Sequence, residues 1–90
     1  MMYPFLQLDD GTEIVHSEKL PDGSVKVHIE KPDEKDCFHQ AECFLPAYRW
    51  ENIYGFTAEE IARYQTVLES VAHLIIEFSA QGGFEHASGF

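Results

Sequence analysis

No run of apolar residues in the sequence approaches the roughly 20 that a membrane-spanning helix needs. No basic start precedes an apolar core at Met1-Met2-Tyr3-Pro4-Phe5, so no secretory leader is expected there. Cations are scarce: six Lys and Arg stand against 16 Asp and Glu, a formal charge of −10. The excess runs the whole length, with 10 acids and 4 bases in residues 1–45 and 6 and 2 in residues 46–90. A surface this negative repels phosphate backbones and anionic lipid, which argues against nucleic-acid and membrane partners and favours a basic protein partner. Cysteine is limited to Cys37 and Cys43. Without an export signal, both are expected as reduced thiols in a cytoplasmic protein. No glycine-rich phosphate loop, H-E-x-x-H, nucleophile elbow or calcium loop is present, and no internal repeat is visible.

Against these absences, 44% hydrophobic and 13% aromatic residues argue for a packed core rather than disorder. Ninety residues suffice for one domain, expected over residues 1–81, with a glycine-rich tail over 82–90.

The stretch from Thr57 to Phe78 predicts one long amphipathic helix. Thr57-Ala58-Glu59-Glu60 has the form of a capping box, and Phe56 and Ile61 fall at the two positions of a hydrophobic staple. Ile61, Tyr64, Leu68, Val71, Ala72, Ile75 and Phe78 recur at helical spacing, widened by Val67 and Leu74. Thr66, Glu69, Ser70, His73 and Glu77 line the other side, and Gly82-Gly83 supplies a stop.

The first half reads as strands. Tyr3–Leu8 and Thr12–Leu20 flank the turn signal Asp10-Gly11. Pro21-Asp22-Gly23-Ser24 is a second turn, and Val25–Lys31 then alternates, with Val25, Val27 and Ile29 sharing one face. In Cys37–Leu45 the Ala41, Cys43 and Leu45 side is assigned to the helix. Phe38 and Phe44, with Val15 from a neighbouring strand, are then left on the other face, to be covered by the tail, the aromatic segment after residue 45 or another chain. Pro46–Phe56 is read as a loop containing a short helical turn. The predicted fold is α+β: an antiparallel meander of three to four strands under one long C-terminal helix. An uncovered sheet face also suggests a homodimer.

Three constellations of residues carry candidate chemistry. Cys37 and His39 share a strand face about 6.6 Å apart and could supply two zinc ligands, with His73 or His86 needed to complete the site, whereas Cys37 and Cys43, about 20 Å apart, cannot share one ion, nor a disulfide unless the segment bends sharply. A cysteine nucleophile beside an acidic loop has its thiolate disfavoured. Glu85-His86-Ala87-Ser88 holds hydrolase letters, but neighbours in sequence do not face one another as a triad requires. The leading expectation is a non-enzymatic protein-binding module of regulator, adaptor or immunity type. Its partner surface is drawn from Phe38, Phe44, Tyr48, Arg49, Trp50 and Tyr54, because aromatics and arginine dominate interface hot spots. The alternatives are a zinc site on Cys37 and His39, and a small-molecule enzyme with its site at a dimer interface.

Overall fold

The computed structural model describes residues 2–33 and 37–80, with the side chains of Asp33, Cys37 and Phe38 left undescribed. The elements are β1 (Met2–Gln7), β2 (Glu13–Ser17), β3 (Val25–Asp33), β4 (Cys37–Leu45), β5 (Arg49–Tyr54) and α1 (Ala58–Ala80). The strands form one antiparallel sheet in sequence order, β1-β2-β3-β4-β5, with the helix on one face. The α+β meander is as the sequence predicts, with five strands where three to four were expected.

The first two hairpins are built by the same device. Leu8-Asp9-Asp10-Gly11-Thr12 and Leu20-Pro21-Asp22-Gly23-Ser24 share the pattern Leu-x-Asp-Gly-Thr/Ser. In each, the leucine N–H donates to the carbonyl four residues on (2.8 Å in both), and the glycine N–H donates back to the leucine carbonyl (3.0 and 2.8 Å). The aspartate carboxylate accepts from the N–H two residues later, at 3.0 Å for Thr12 and 2.9 Å for Ser24. Gly11 and Gly23 take φ of 89° and 88°, which L side chains adopt only with strain.

From Leu20 and Ser24, the β2–β3 ladder reaches His16 opposite Val27, four residues back on one side and three forward on the other. One extra residue therefore stands on the β2 side. Ser17 repairs the gap: its hydroxyl accepts from the Lys26 N–H (3.0 Å) and donates to the Glu18 carbonyl (2.7 Å). Because a one-residue slip exchanges the faces of a strand, this insertion is what points Ile14 into the core.

The helix covers Ile14, Val25, Val27, Ile29, Ala41, Cys43 and Leu45 with Tyr64, Leu68 and Ile75, all buried, and Phe56 seals one end. Ala41, Cys43 and Leu45 thus lie on the helix side, as expected. Each large aliphatic or aromatic group so buried contributes about 1.5–3 kcal/mol. The capping box forms: Glu60 N–H donates to Thr57 Oγ1 (3.1 Å) and Thr57 N–H to Glu60 Oε1 (2.9 Å). Thr66, Glu69, Ser70, His73 and Glu77 are exposed, as the periodicity requires. Leu74 is a correction: it is exposed, and Ser79 closes the seam, its hydroxyl turned back to the Ile76 carbonyl. The expected stop at Gly82-Gly83 and the tail lie outside the described residues.

The segment expected as a loop with a helical turn is instead the reversal and fifth strand. Pro46-Ala47-Tyr48 turns the chain, with a cis peptide at Leu45-Pro46 and Tyr48 in the left-handed region, bringing Arg49 opposite Phe44. Asn52, also left-handed (φ 52°), inserts a bulge between the Glu42–Glu51 and Gln40–Tyr54 pairs. Asn52 breaks the alternation that marks a strand, and Tyr48 makes the turn that leads into it. Both edge strands carry a bulge, and β1 also carries Pro4, features that discourage edge-to-edge aggregation.

Candidate functional site

The helix lies on one face of the sheet, and among the described residues no element covers the other, outer face. The side chains there follow from the register: Glu13 and Val15 on β2, Lys26, His28 and Glu30 on β3, Gln40, Glu42 and Phe44 on β4, Arg49 and Glu51 on β5. The face divides into two unlike halves.

The β3–β4–β5 half is self-neutralised. Lys26 Nζ lies 2.7 Å from Glu42 Oε2, and Asn52 Nδ2 donates to Glu42 Oε1 at 2.6 Å. Desolvation works to raise the Glu42 carboxyl, but these bonds outweigh it and hold the group below the ordinary glutamate range. Arg49 Nε pairs with Glu51 Oε2 at 2.7 Å, and the Arg49 guanidinium lies 4.7 Å from the centre of the Phe44 ring. Phe44 is therefore only half-exposed, covered by a residue of the aromatic segment.

The β1–β2–β3 half is not neutralised. Glu13 and Glu30 are direct cross-strand partners, and like charges in that position repel. Among the described residues, Lys31 is engaged by Asp10 (3.5 Å) and Lys26 by Glu42. Next along the ladder Val15 faces His28, whose Nε2 lies 3.3 Å from Gln40 Oε1. Met2 closes the side from β1. These five residues line an open hollow of about 260 Å³.

The aromatic residues proposed from the sequence are not brought together. Phe44 and Arg49 are on the outer face. Trp50 is half-buried on the helix side, its Nε1–H donating to Gln65 Oε1 at 3.0 Å, and Tyr48 packs against the core. Tyr54 stands 58% exposed at the end of β5, beside Ile53 at 46%. The Phe38 side chain lies outside the described residues. The expected patch is thus partly a satellite core binding β5 to the helix and partly a capped outer-face pair. The hollow was missed because Glu13 and Glu30 become neighbours only through the extra residue near Ser17. The clean alternation of β3 was the available signal that Glu30 and His28 face outward.

For the chemical alternatives, His39 lies on the inner face, its ring edge-on to Phe56 at 5.6 Å. The Cys37 side chain is outside the described residues, as is Glu85-His86-Ala87-Ser88. Among the described residues no three His, Cys, Asp or Glu side chains gather closely enough to hold a metal ion. Cys43 is a buried free thiol that desolvation pushes up to about 11, which suits a small apolar core residue rather than a nucleophile. Among the described residues, no helix is long and apolar enough to cross a membrane. Comparison with known protein families, with characterised proteins and with solved structures finds no match to this chain.

Proposed function

We propose that this chain is a protein-binding module, with no catalytic activity of its own, that holds a basic protein partner on the open face of its sheet. The observation that carries this reading is the disposition of its few cations. Of six, Lys26, Lys31 and Arg49 are already paired with the chain's own acids, which leaves the rest of a −10 surface to act on its surroundings. Charge complementarity of this kind steers association and selects partners by sign. A cytoplasmic setting and the regulator, adaptor or immunity-type role belong to the same reading.

The test is fluorescence anisotropy with a labelled peptide of alternating glycine and arginine, and with a glycine–glutamate counterpart. Binding of the arginine peptide at low salt, weakened at least about tenfold at high salt where the screening length falls to a few ångströms, is expected. Absence of binding at low salt overturns the proposal.

A homodimer is the second partner reading, favoured by Ile53 and Tyr54 standing exposed on the edge strand β5. Sedimentation equilibrium of the wild type and of Ile53→Lys decides it: a dimer that the substitution dissociates supports the reading, and a monomer at all concentrations ends it.

A further inference from the structure

We propose that the hollow between β1, β2 and β3 receives the guanidinium of an arginine side chain from the basic partner. This rests on the binding reading above and assigns it a place and a chemistry.

The argument begins with an imbalance. Glu13 and Glu30 are opposed across the β2–β3 ladder, and no cation among the described residues pairs with either. Two carboxylates on adjacent strands at the same level present acceptor oxygens side by side. An arginine offers five N–H donors in a rigid plane, so one guanidinium can engage both carboxylates at once. It is also more weakly hydrated than an ammonium ion and tolerates apolar surroundings. The hollow supplies these: Val15 and Met2 form apolar walls where the methylene stem can lie, and His28, hydrogen-bonded with Gln40, forms a further wall. A volume of about 260 Å³ open to solvent admits a single side chain without rearrangement of the sheet. A divalent hard cation held by these two carboxylates would keep most of its water shell and gain nothing from the apolar walls of Val15 and Met2, whereas a guanidinium with its methylene stem uses both.

The neighbouring half of the face shows the same chemistry made within the chain. There Arg49 lies on an apolar ring and pairs with a carboxylate of its own strand. The β1–β3 half has the carboxylates and the apolar walls without the arginine.

The experiment is an amide NMR titration of the full chain with N-acetyl-arginine amide and with its neutral isostere, N-acetyl-citrulline amide. Shifts concentrated at Glu13, Val15, His28 and Glu30 with the arginine compound, and none there with citrulline, are expected. The double variant Glu13→Gln/Glu30→Gln should bind the arginine compound and the arginine peptide about tenfold more weakly or worse. The variant Glu69→Gln/Glu77→Gln, which removes the same charge from the exposed helix face, should leave the arginine compound unchanged and weaken the peptide less than about twofold, through the lower net charge alone. The amide spectra report whether each variant is folded. If the peptide binds the wild type and both double variants equally, the assignment of the hollow fails while the basic-partner reading stands. If the peptide does not bind the wild type at low salt, both fall. Equal shifts with arginine and citrulline overturn the guanidinium as the recognised group.

Discussion

Thr12 and Tyr64 allow the contact between helix and sheet to be measured through one pair of atoms. The Thr12 hydroxyl and the Tyr64 phenol lie 3.3 Å apart in the core, 52 residues apart in sequence, and both residues are essentially inaccessible. Thr12→Val leaves the buried phenol stripped of water and of this partner, and Tyr64→Phe takes the phenol from the Thr12 hydroxyl, which keeps the Asp10 carboxylate beside it. An orphaned buried hydroxyl costs about 1–3 kcal/mol, whereas replacing both members by apolar groups of similar shape is close to neutral. Each single variant is therefore expected to lose about 1–2 kcal/mol. The double variant should lose no more than about 1 kcal/mol, a coupling of roughly 1–4 kcal/mol. For a domain of this size, each single change lowers the melting temperature by about 4–16 °C. Thr12→Val keeps the backbone N–H that donates to the Asp10 carboxylate but removes the hydroxyl that also helps hold that carboxyl low, so Asp10→Asn is run in both backgrounds to separate the two effects. The assay is urea unfolding of all four proteins followed by circular dichroism, with coincident slopes as the check on two-state behaviour. Additive losses, with a coupling below about 0.3 kcal/mol, would falsify the seating of the helix's first turns on the start of β2.

Gly55→Ala is expected to destabilise by more than about 2 kcal/mol in the same assay, because Gly55 holds φ 84° and a Cβ there overlaps the His39 ring. A loss below 1 kcal/mol would show that the β5–helix junction has room to spare. Asp10 is held below its ordinary value near 3.8 by bonds from Thr12 and by Lys31. A lowered folded-state value stabilises above the unfolded one and is lost as pH falls through the folded one. Asp10→Asn should therefore melt below the wild type at neutral pH, with the gap closing as the pH falls below about 3.8; a constant gap contradicts the assignment. Glu13→Gln removes a like-charge cross-strand pair and should raise the melting temperature at low salt by roughly 1–3 °C, an increment that high salt erases. No increment would mean that Glu13 and Glu30 are not opposed. In a Cys37→Ser background, Cys43 should react with Ellman's reagent near neutral pH only as fast as the protein unfolds, since burial pushes its thiol up to about 11. Rapid reaction of the folded protein contradicts the buried position.

The helix was the most legible element, because a capping box and a stripe of large residues are local and need no knowledge of pairing. The inner face of β3 and β4 was legible for the same reason: period-two alternation in Val25–Ile29 and Ala41–Leu45 reads directly as burial. What failed was whatever depended on a residue leaving the regular backbone. Arg49–Tyr54 forms a strand although Tyr48 and Asn52 take left-handed conformations, and those two residues disguised it as a loop. The aromatic patch dissolved with that correction, since alternation along β5 sends Trp50 to the helix and Arg49 to the open face. Leu74 was placed in the seam by spacing, yet the contact surface of a single helix on a sheet is narrower than its apolar arc.

The acid pair arises from the same kind of irregularity and bears on what the open face is for. Counting outward from the Leu20–Ser24 turn without the extra residue puts Glu13 opposite Lys31, a favourable pairing, but also puts Ile14 opposite Glu30. The extra residue restores Ile14 to the core opposite Ile29, and that burial, at about 1.5–3 kcal/mol, outweighs any surface ion pair. The register is thus dictated by Ile14. Nothing in the core, however, asks for glutamate at 13 or at 30: both are exposed, and threonine or lysine at either would suit the strand better and end the repulsion. The β4–β5 half of the same face shows that the chain does place cations beside its acids when only stability is at stake. A local choice that runs against stability, next to apolar walls and an open hollow, is where function is expected to reside. The arginine that would complete the pair is therefore sought on another molecule.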